Sequence, residues 1–377
     1  MQTLGVSIER QAKANESVPK PILVVYRREA RVDAIDEYSR RLVNALCSSG
    51  VSARYIADGL SSALRQVSDY GSILLQYNPF SYGHWGVAPG LVRDAIGLRR
   101  QAGVSLAVSV HEAWVDTDDP ARARWRSMLM GTYQRIQLVA LLEMADVVIV
   151  ATQPLARKLG RPNAIHVPVG SNITPVPITR EDARGRLGVC DELVVSLFGT
   201  SHPSRALEYA TAAIALLAEE KGKGTVKVLN LGLGAPQLRL ATGIAVYTPG
   251  HLEAEELSLR LRASDILLLP FTDGLSTRRT TLMAGLAHGV AVVGLYGAGT
   301  DDVLSRSPEA ITLTPVGDIG AFTNAVLQLA GDPLRLRSAG SSGQDLYARH
   351  FDWPIAADRI RSALTGTSRD WHTATQP

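Results

Sequence analysis

Candidate chemistry first shows where positive charge meets the start of a helix. The stretch ILLLPFTDGLSTRRTTLMAGLAHGVAVVG (266–294) reads as strand, glycine-containing turn, small-residue helix, glycine and strand. Arg278 and Arg279 fall in the first turn of that expected helix, where the macrodipole disfavours a cation by a few tenths to ~1 kcal/mol each. An anion at the same terminus reverses the sign. The backbone N–H groups around Arg279, Thr280 and Thr281, together with the two guanidinium groups, make a candidate diphosphate cradle. Pairing of both arginines with Asp273, or their release into solvent, is the competing arrangement.

A second cation stands in FGTSHPSRALEYATAAIALLA (198–218), where a glycine ends a strand and Arg205 begins a strongly apolar, hence buried, helix. From there a guanidinium reaches a phosphate emerging over the sheet edge, although a cap or an ion pair suits the position too. A third candidate is VSLAVSVHEAW, which puts His111 and Glu112 just past a buried strand. The acids Asp116, Asp118 and Asp119 precede a helix and match its N-terminal dipole better than they match a cation site. ARARWRSMLM (121–130) mixes arginine, tryptophan and methionine as a membrane-surface helix does, but reads as well as a solvated face beside one buried stripe. There is no P-loop, and Gly232 and Gly234 do not complete a dinucleotide fingerprint, which weighs against ATPase and NAD chemistry.

The elements that must position these residues alternate. From Pro21 to about Pro168, short β-branched runs (ILVVY, SARYI, SILLQY, VSLAVSV, VVIVA) alternate with helical stretches across 33–48, 88–101 and 120–144. VPVGSNITPVPITR (167–180) interrupts the pattern, and Thr179 with Asp182 can close a capping box on the next helix. The alternation then restarts with LVVSLFG, VKVLNLG, IAVYT, ILLLPF and VAVVGLY, with helices across 204–220, 253–263, 277–288 and 318–330. One more amphipathic helix after Pro354 could pack back on the first half. The fold class expected is α/β, with two Rossmann-like parallel-sheet domains facing a central cleft. The expected division is a loose tail over 1–20, a first domain over 21–175 that takes the helix of 350–365, and a second over 176–349.

In open parallel sheets ligands collect at the carboxyl ends of the strands. In the first domain these ends carry Tyr26, Gln76, Tyr77, Asn78, His111, Glu112 and Thr152. In the second they carry Gly199, Thr200, Gly232, Gly234, Thr248, Gly250, Thr272 and Asp273. The aromatic and glycine-rich loop PFSYGHWGVAP after Asn78 suits an acceptor ring as well as it suits packing.

Composition narrows the class further. A chain of 377 residues, 46% hydrophobic and 20% charged, has the make-up of a two-domain globular protein. The 39 basic residues are spread along the chain and are mostly arginine, so no dense tract points to nucleic acid. Cys47 and Cys190 stand far apart with no metal-type spacing, which fits a reducing cytoplasm. No signal-peptide core or membrane-length apolar run occurs, so any membrane contact is expected to be peripheral. The oligomeric state is not legible. The arginine bias is the habit of GC-rich bacterial genomes.

The order of these motifs resembles that of retaining, sugar-nucleotide-dependent glycosyltransferases of the GT-B fold, the family four group. The resemblance runs from about 21 to 365 through LLQYNPF, SVHEAW, VPVGSN, LFGTSHPSR, LRASDILLLPF, DGLSTRRTTLMAGLAHGVAVVG and FDWPIAADRI. It implies transfer of a sugar from a UDP- or GDP-type donor to a small-molecule, glycan or lipid acceptor, in natural-product or cell-envelope synthesis. Carried over by position, His111 resembles the histidine that contacts the donor sugar, Arg205 a diphosphate ligand, and Thr280 and Thr281 the helix start that holds the distal phosphate. The loop with Thr248 and Gly250 resembles the nucleoside edge, and Asp273 stands near the acid that holds sugar hydroxyls. Tyr77, Asn78 and Glu112 fall on the acceptor side.

The chain departs from that pattern where two glutamates eight apart are usual: Ser276 and Ala284 occupy those positions. Ala206 replaces a basic residue after Arg205, and the segment from Arg31 to Asp36 replaces a glycine pair. The implied mechanism uses no metal and no cofactor besides the nucleotide sugar. Arg205, Arg279 and the helix amides stabilise the leaving diphosphate, while His111 and Asp273 orient the sugar. An epimerase or hydrolase on the same scaffold, or a non-catalytic glycosyltransferase-like partner protein, are the alternatives.

Overall fold

The computed structural model describes residues 20–28, 33–101, 103–116, 124–240 and 242–366. The expected tail over 1–19, residues 117–119 of the acidic run, Arg31 and Val32, and the first residues of ARARWRSMLM therefore lie outside the described residues.

Two parallel six-stranded sheets form the frame. The first contains β1 (Ile22–Val25), β2 (Ala53–Ile56), β3 (Ser72–Tyr77), β4 (Ser105–Val110), β5 (Val147–Val150) and β6 (Ile165–His166), in the order β2-β1-β3-β4-β5-β6. The second contains β7 (Leu193–Phe198), β8 (Val226–Leu231), β9 (Ala245–Tyr247), β10 (Ile266–Leu269), β11 (Ala291–Tyr296) and β12 (Ile311–Pro315), in the order β12-β11-β10-β7-β8-β9. Central strands such as ILVV and ILLL are buried along their whole length, as expected of strands covered by helices on both faces. The α/β doubly wound reading therefore holds for both halves.

Register fixes which strand ends meet. Tyr77 pairs with Val110, so Asn78 and His111 leave the first sheet side by side. Phe198 pairs with Leu231, so Gly199 and Gly232 leave the second sheet as neighbours. Both glycines have φ of +120°, and a Cβ on Gly232 would meet the Gly199 carbonyl oxygen at 3.0 Å. Only glycine suits that approach.

The sequence placed most long helices to within a few residues but missed the short Leu60–Ala63, Gln153–Lys158 and Asp302–Ser305 and one long helix. Pro333–His350 is an 18-residue helix, although its SAGSSGQ segment has the look of a loop. The glycines are there for contact: a Cβ on Gly340 would lie 2.2 Å from the Gly289 carbonyl oxygen, and one on Gly343 would lie 3.1 Å from Leu286. The helix thereby packs closely on Thr280–Ala287, whose start is central to the site.

The two halves are joined twice. Thr179 accepts the Asp182 N–H at 3.0 Å and caps the helix Arg180–Arg186, as its spacing predicts. Beyond it, the last described helix, Trp353–Thr365, returns to the first half and packs on Ala34–Ser48. Trp353 lies 5.5 Å from the Tyr38 ring, and its indole N–H donates to the Ser171 carbonyl at 2.8 Å. No described helix is long and apolar enough to cross a membrane.

Candidate active site

β7 ends at Phe198, and the loop that follows is laced to the end of β10. The Ala206 N–H donates to the Pro270 carbonyl at 2.9 Å, and the Thr272 N–H donates to Ser204 at 2.8 Å. This pairing makes a pocket of about 190 Å³ lined by Phe198, Gly199, Thr200, His202, Arg205, Phe271 and residues 278–281.

Two guanidinium groups share one aromatic floor. The Arg205 and Arg279 carbons lie 5.7 and 4.0 Å from the Phe271 ring centroid. Arg205 is buried and donates to the carbonyls of Phe198 (2.8 Å), Gly199 (3.2 Å) and Thr200 (3.4 Å). Burial, and then the charge of Arg279, lower its pKa to about 10. Arg279 is held down by burial as well, partly offset by Asp273, whose carboxylate it meets at 3.0 Å. The Nε of each arginine is buried without a hydrogen-bond partner. Two partly desolvated cations with donors to spare are arranged for an anion.

The helix start differs from the sequence reading in one turn. Thr280 is the first helical residue, and Arg279 is the N-cap, with extended backbone angles and no capping side chain. The Arg279 N–H is taken by the Ser276 carbonyl at 3.2 Å, so it does not belong to the cradle. The amides left for a ligand are those of Thr280 and Thr281, which the helix itself cannot satisfy. Likewise Arg205 precedes its helix, which begins at Leu207. Arg278 is exposed and also meets Asp273, at 3.2 Å. The competing ion-pair arrangement is therefore present, and it leaves Arg279 pointing over Phe271.

Gly199, Thr200, Arg205, Arg279, Thr280 and Thr281 are thus brought together, whereas Gly232, Thr248 and Gly250 lie outside the pocket lining. Thr248 is exposed after β9. His202 and Phe271 complete the lining; the sequence signal for Phe271 was its place directly after a buried strand and Pro270. Ser276 and Ala284 are both buried, Ala284 in the hydrophobic core, so neither position offers a carboxylate to the pocket.

On the first sheet, the His111 Nε2 meets Gln76 Oε1 at 2.7 Å, and the ring stands edge-on to Tyr38 at 5.3 Å. Burial lowers its pKa to about 4, against a weaker opposing pull from Asp33, so the imidazole is neutral near pH 7. Glu112 is exposed. Asn78 is spent as a cap, accepting the Phe80 N–H at 3.0 Å. Tyr77 is fully buried and stacked on Tyr82, so it supports this edge from within the core and does not face an acceptor.

Residues 192–332, which contain the whole pocket, match the family described as Glycosyl transferases group 1. A GDP-mannose-dependent monoacylated alpha-(1-6)-phosphatidylinositol monomannoside mannosyltransferase of Corynebacterium glutamicum is 23% identical over 72% of this chain and 73% of its own length. A GDP-mannose-dependent alpha-(1-6)-phosphatidylinositol monomannoside mannosyltransferase of Mycolicibacterium smegmatis is 27% identical over 53% of this chain and 56% of its own. Among solved structures, sucrose-phosphate synthase from Thermosynechococcus elongatus superposes with a TM-score of 0.65 at 18% identity, covering 93% of this chain and all of that one. The lipopolysaccharide glycosyltransferase WaaG superposes at 0.59 and 12% identity, over 92% of this chain and all of its own. The chain has the GT-B fold, and its segment 192–332 matches the model of the family described as Glycosyl transferases group 1.

Proposed function

We propose that the protein transfers a hexosyl group from a nucleoside diphosphate sugar to an acceptor, with retention of configuration and without a metal. The observation that carries this reading is the pair Arg205 and Arg279, both partly desolvated over Phe271 and each with an unmatched Nε, beside the open amides of Thr280 and Thr281.

Charge builds on the diphosphate as the bond to the sugar breaks. Preorganised donors stabilise that charge most strongly in the transition state, which is what turns binding into catalysis. Asp273 lies outside the pocket lining and acts by holding Arg279 in place. Neutral His111 accepts or donates one hydrogen bond without bringing a charge near the anomeric carbon. With Ser276 and Ala284 buried, the ribose and sugar contacts fall to other groups, and the exposed Thr248 loop is proposed as the nucleoside edge. The names of both curated relatives make guanosine diphosphate mannose the first donor to try and a phosphatidylinositol mannoside the first acceptor.

Thermal unfolding in the presence of GDP, UDP and ADP is the direct test. A ligand at one hundred times its Kd adds about 2.7 kcal/mol to the native state. One base should raise the Tm well above the others, and transfer should need both donor and acceptor. If no nucleoside diphosphate shifts the Tm, the reading fails; donor consumption without acceptor would make the protein a hydrolase or epimerase.

A further inference from the structure

The surface helix Arg124–Met144 buries Leu138, Leu141 and Leu142 in the core of the first half and two amides beside them. Its inward side carries Gln134 and Gln137, both buried. Gln134 accepts the Val115 N–H at 2.9 Å and donates to the Trp85 carbonyl at 2.9 Å. Gln137 accepts the Ala88 N–H at 2.8 Å and donates to the Gly86 carbonyl at 3.2 Å. The buried amides thus fasten the loops around 85–88 and 115, and the fold accounts for them.

Among the described residues, nothing covers the opposite side. Trp125, Met128, Leu129, Ile136 and Val139 are each between 46% and 65% exposed. At about 100° per residue they share one stripe roughly 100° wide and roughly 21 Å long. Single exposed apolar residues are ordinary, but an aligned row is not. Arginines border the stripe on both edges: Arg124 and Arg135 on one, Arg126 on the other. The helix has a single acid, Glu143, which is ion-paired with Arg161. Arg126 sits 5.2 Å over the Trp125 ring, at the position where a headgroup phosphate would meet a tryptophan at the interface.

We propose that this face seats the protein on an anionic lipid surface, the five apolar side chains entering the headgroup boundary and Arg124, Arg126 and Arg135 meeting lipid phosphates. An amphipathic stripe with basic borders is what such a surface recognises. The proposal stands on the helix alone and does not depend on the transferase reading.

The test is sedimentation of the full chain with vesicles of phosphatidylcholine alone and of phosphatidylcholine with phosphatidylglycerol, compared with a variant carrying Trp125→Ser, Leu129→Ser and Ile136→Ser. The wild type should sediment with the anionic vesicles, and the triple variant should lose at least about tenfold in partitioning with its Tm retained. Arg126→Glu with Arg135→Glu should weaken binding to a similar degree and keep the apolar face. Absence of wild-type binding, or equal binding by the triple variant, would overturn the proposal. So would a dimer in solution that the triple variant abolishes without any vesicle binding, since the stripe would then join two copies of the chain.

Discussion

The Asp301 carboxylate accepts the backbone N–H of Gln153 at 2.7 Å, and so joins the segment after β5 to the loops of the second half. The same buried carboxylate accepts both the N–H and the hydroxyl of Thr277 at 2.8 Å, two residues before Arg279. Gln153 returns a bond through its side chain to the Asp302 N–H at 2.9 Å.

Removing that acceptor strands several buried donors at once. Asp301→Ala should therefore cost on the order of 2–4 kcal/mol, and Asp301→Asn less, because an oxygen acceptor survives. Urea unfolding of both variants against wild type gives the numbers. An effect under about 0.5 kcal/mol for the alanine variant would show that the halves are held together elsewhere.

Arg205→Ala should lower kcat/KM by on the order of 10²–10³, the usual effect of deleting one preorganised donor. The guanidinium also binds three backbone carbonyls around Gly199, so Tm must be read alongside activity. Arg205→Lys keeps the charge and loses the fork. It should recover stability better than it recovers turnover, and wild-type turnover in either variant would remove Arg205 from the mechanism.

Buried histidines, His111 and His288 foremost, give the protein a pH signature. Burial lowers His111 and His288 alike to about 4, from an unfolded value near 6.5. Between those values the unfolded chain binds more protons than the native one, so stability rises with pH across that window. It is complete above about 6.5 and lost as pH falls toward 4. Urea midpoints at pH 4.5 and 7.5 should differ in that sense, and His288→Gln should flatten the slope. His111, neutral throughout, should contribute no limb to the activity profile between pH 6 and 8.

Gly274 has φ of +91°, and a Cβ there would come within 2.5 Å of Gly297 N and Thr300 Oγ1. Gly274→Ala should cost about 1–3 kcal/mol and displace Asp273 next to it, weakening nucleotide binding. Calorimetric titration with the best nucleotide checks this; unchanged affinity together with unchanged Tm would show that the turn relaxes freely.

The alternating runs made both sheets legible, because fully buried β-branched strands cannot be mistaken for surface structure. Arg205, Arg279, Thr280 and Thr281 could be found because strand-end positions are set by topology. What escaped notice depended on contacts between distant segments. The glycines of Pro333–His350 look like loop residues until Gly289 is seen against them, and Phe271 looks like core until two arginines lie over it. Tyr77 had the right position along its strand but the wrong side, since its ring turns into the core and stacks on Tyr82. A one-dimensional pattern gives the edge a residue stands on, while the packing around it decides the direction of its side chain.

Trp353 against Tyr38 has a mechanical consequence. Because the closing helix is anchored on the first half, the chain crosses between halves at 167–180 and again near 351–353, so two covalent straps join the halves besides the Asp301 and Thr277 contacts. A double covalent connection resists twisting and sideways slip between the halves. The two crossings meet at Gly170, whose missing side chain leaves room for the Trp353 ring, so a side chain added there would strain both straps at once.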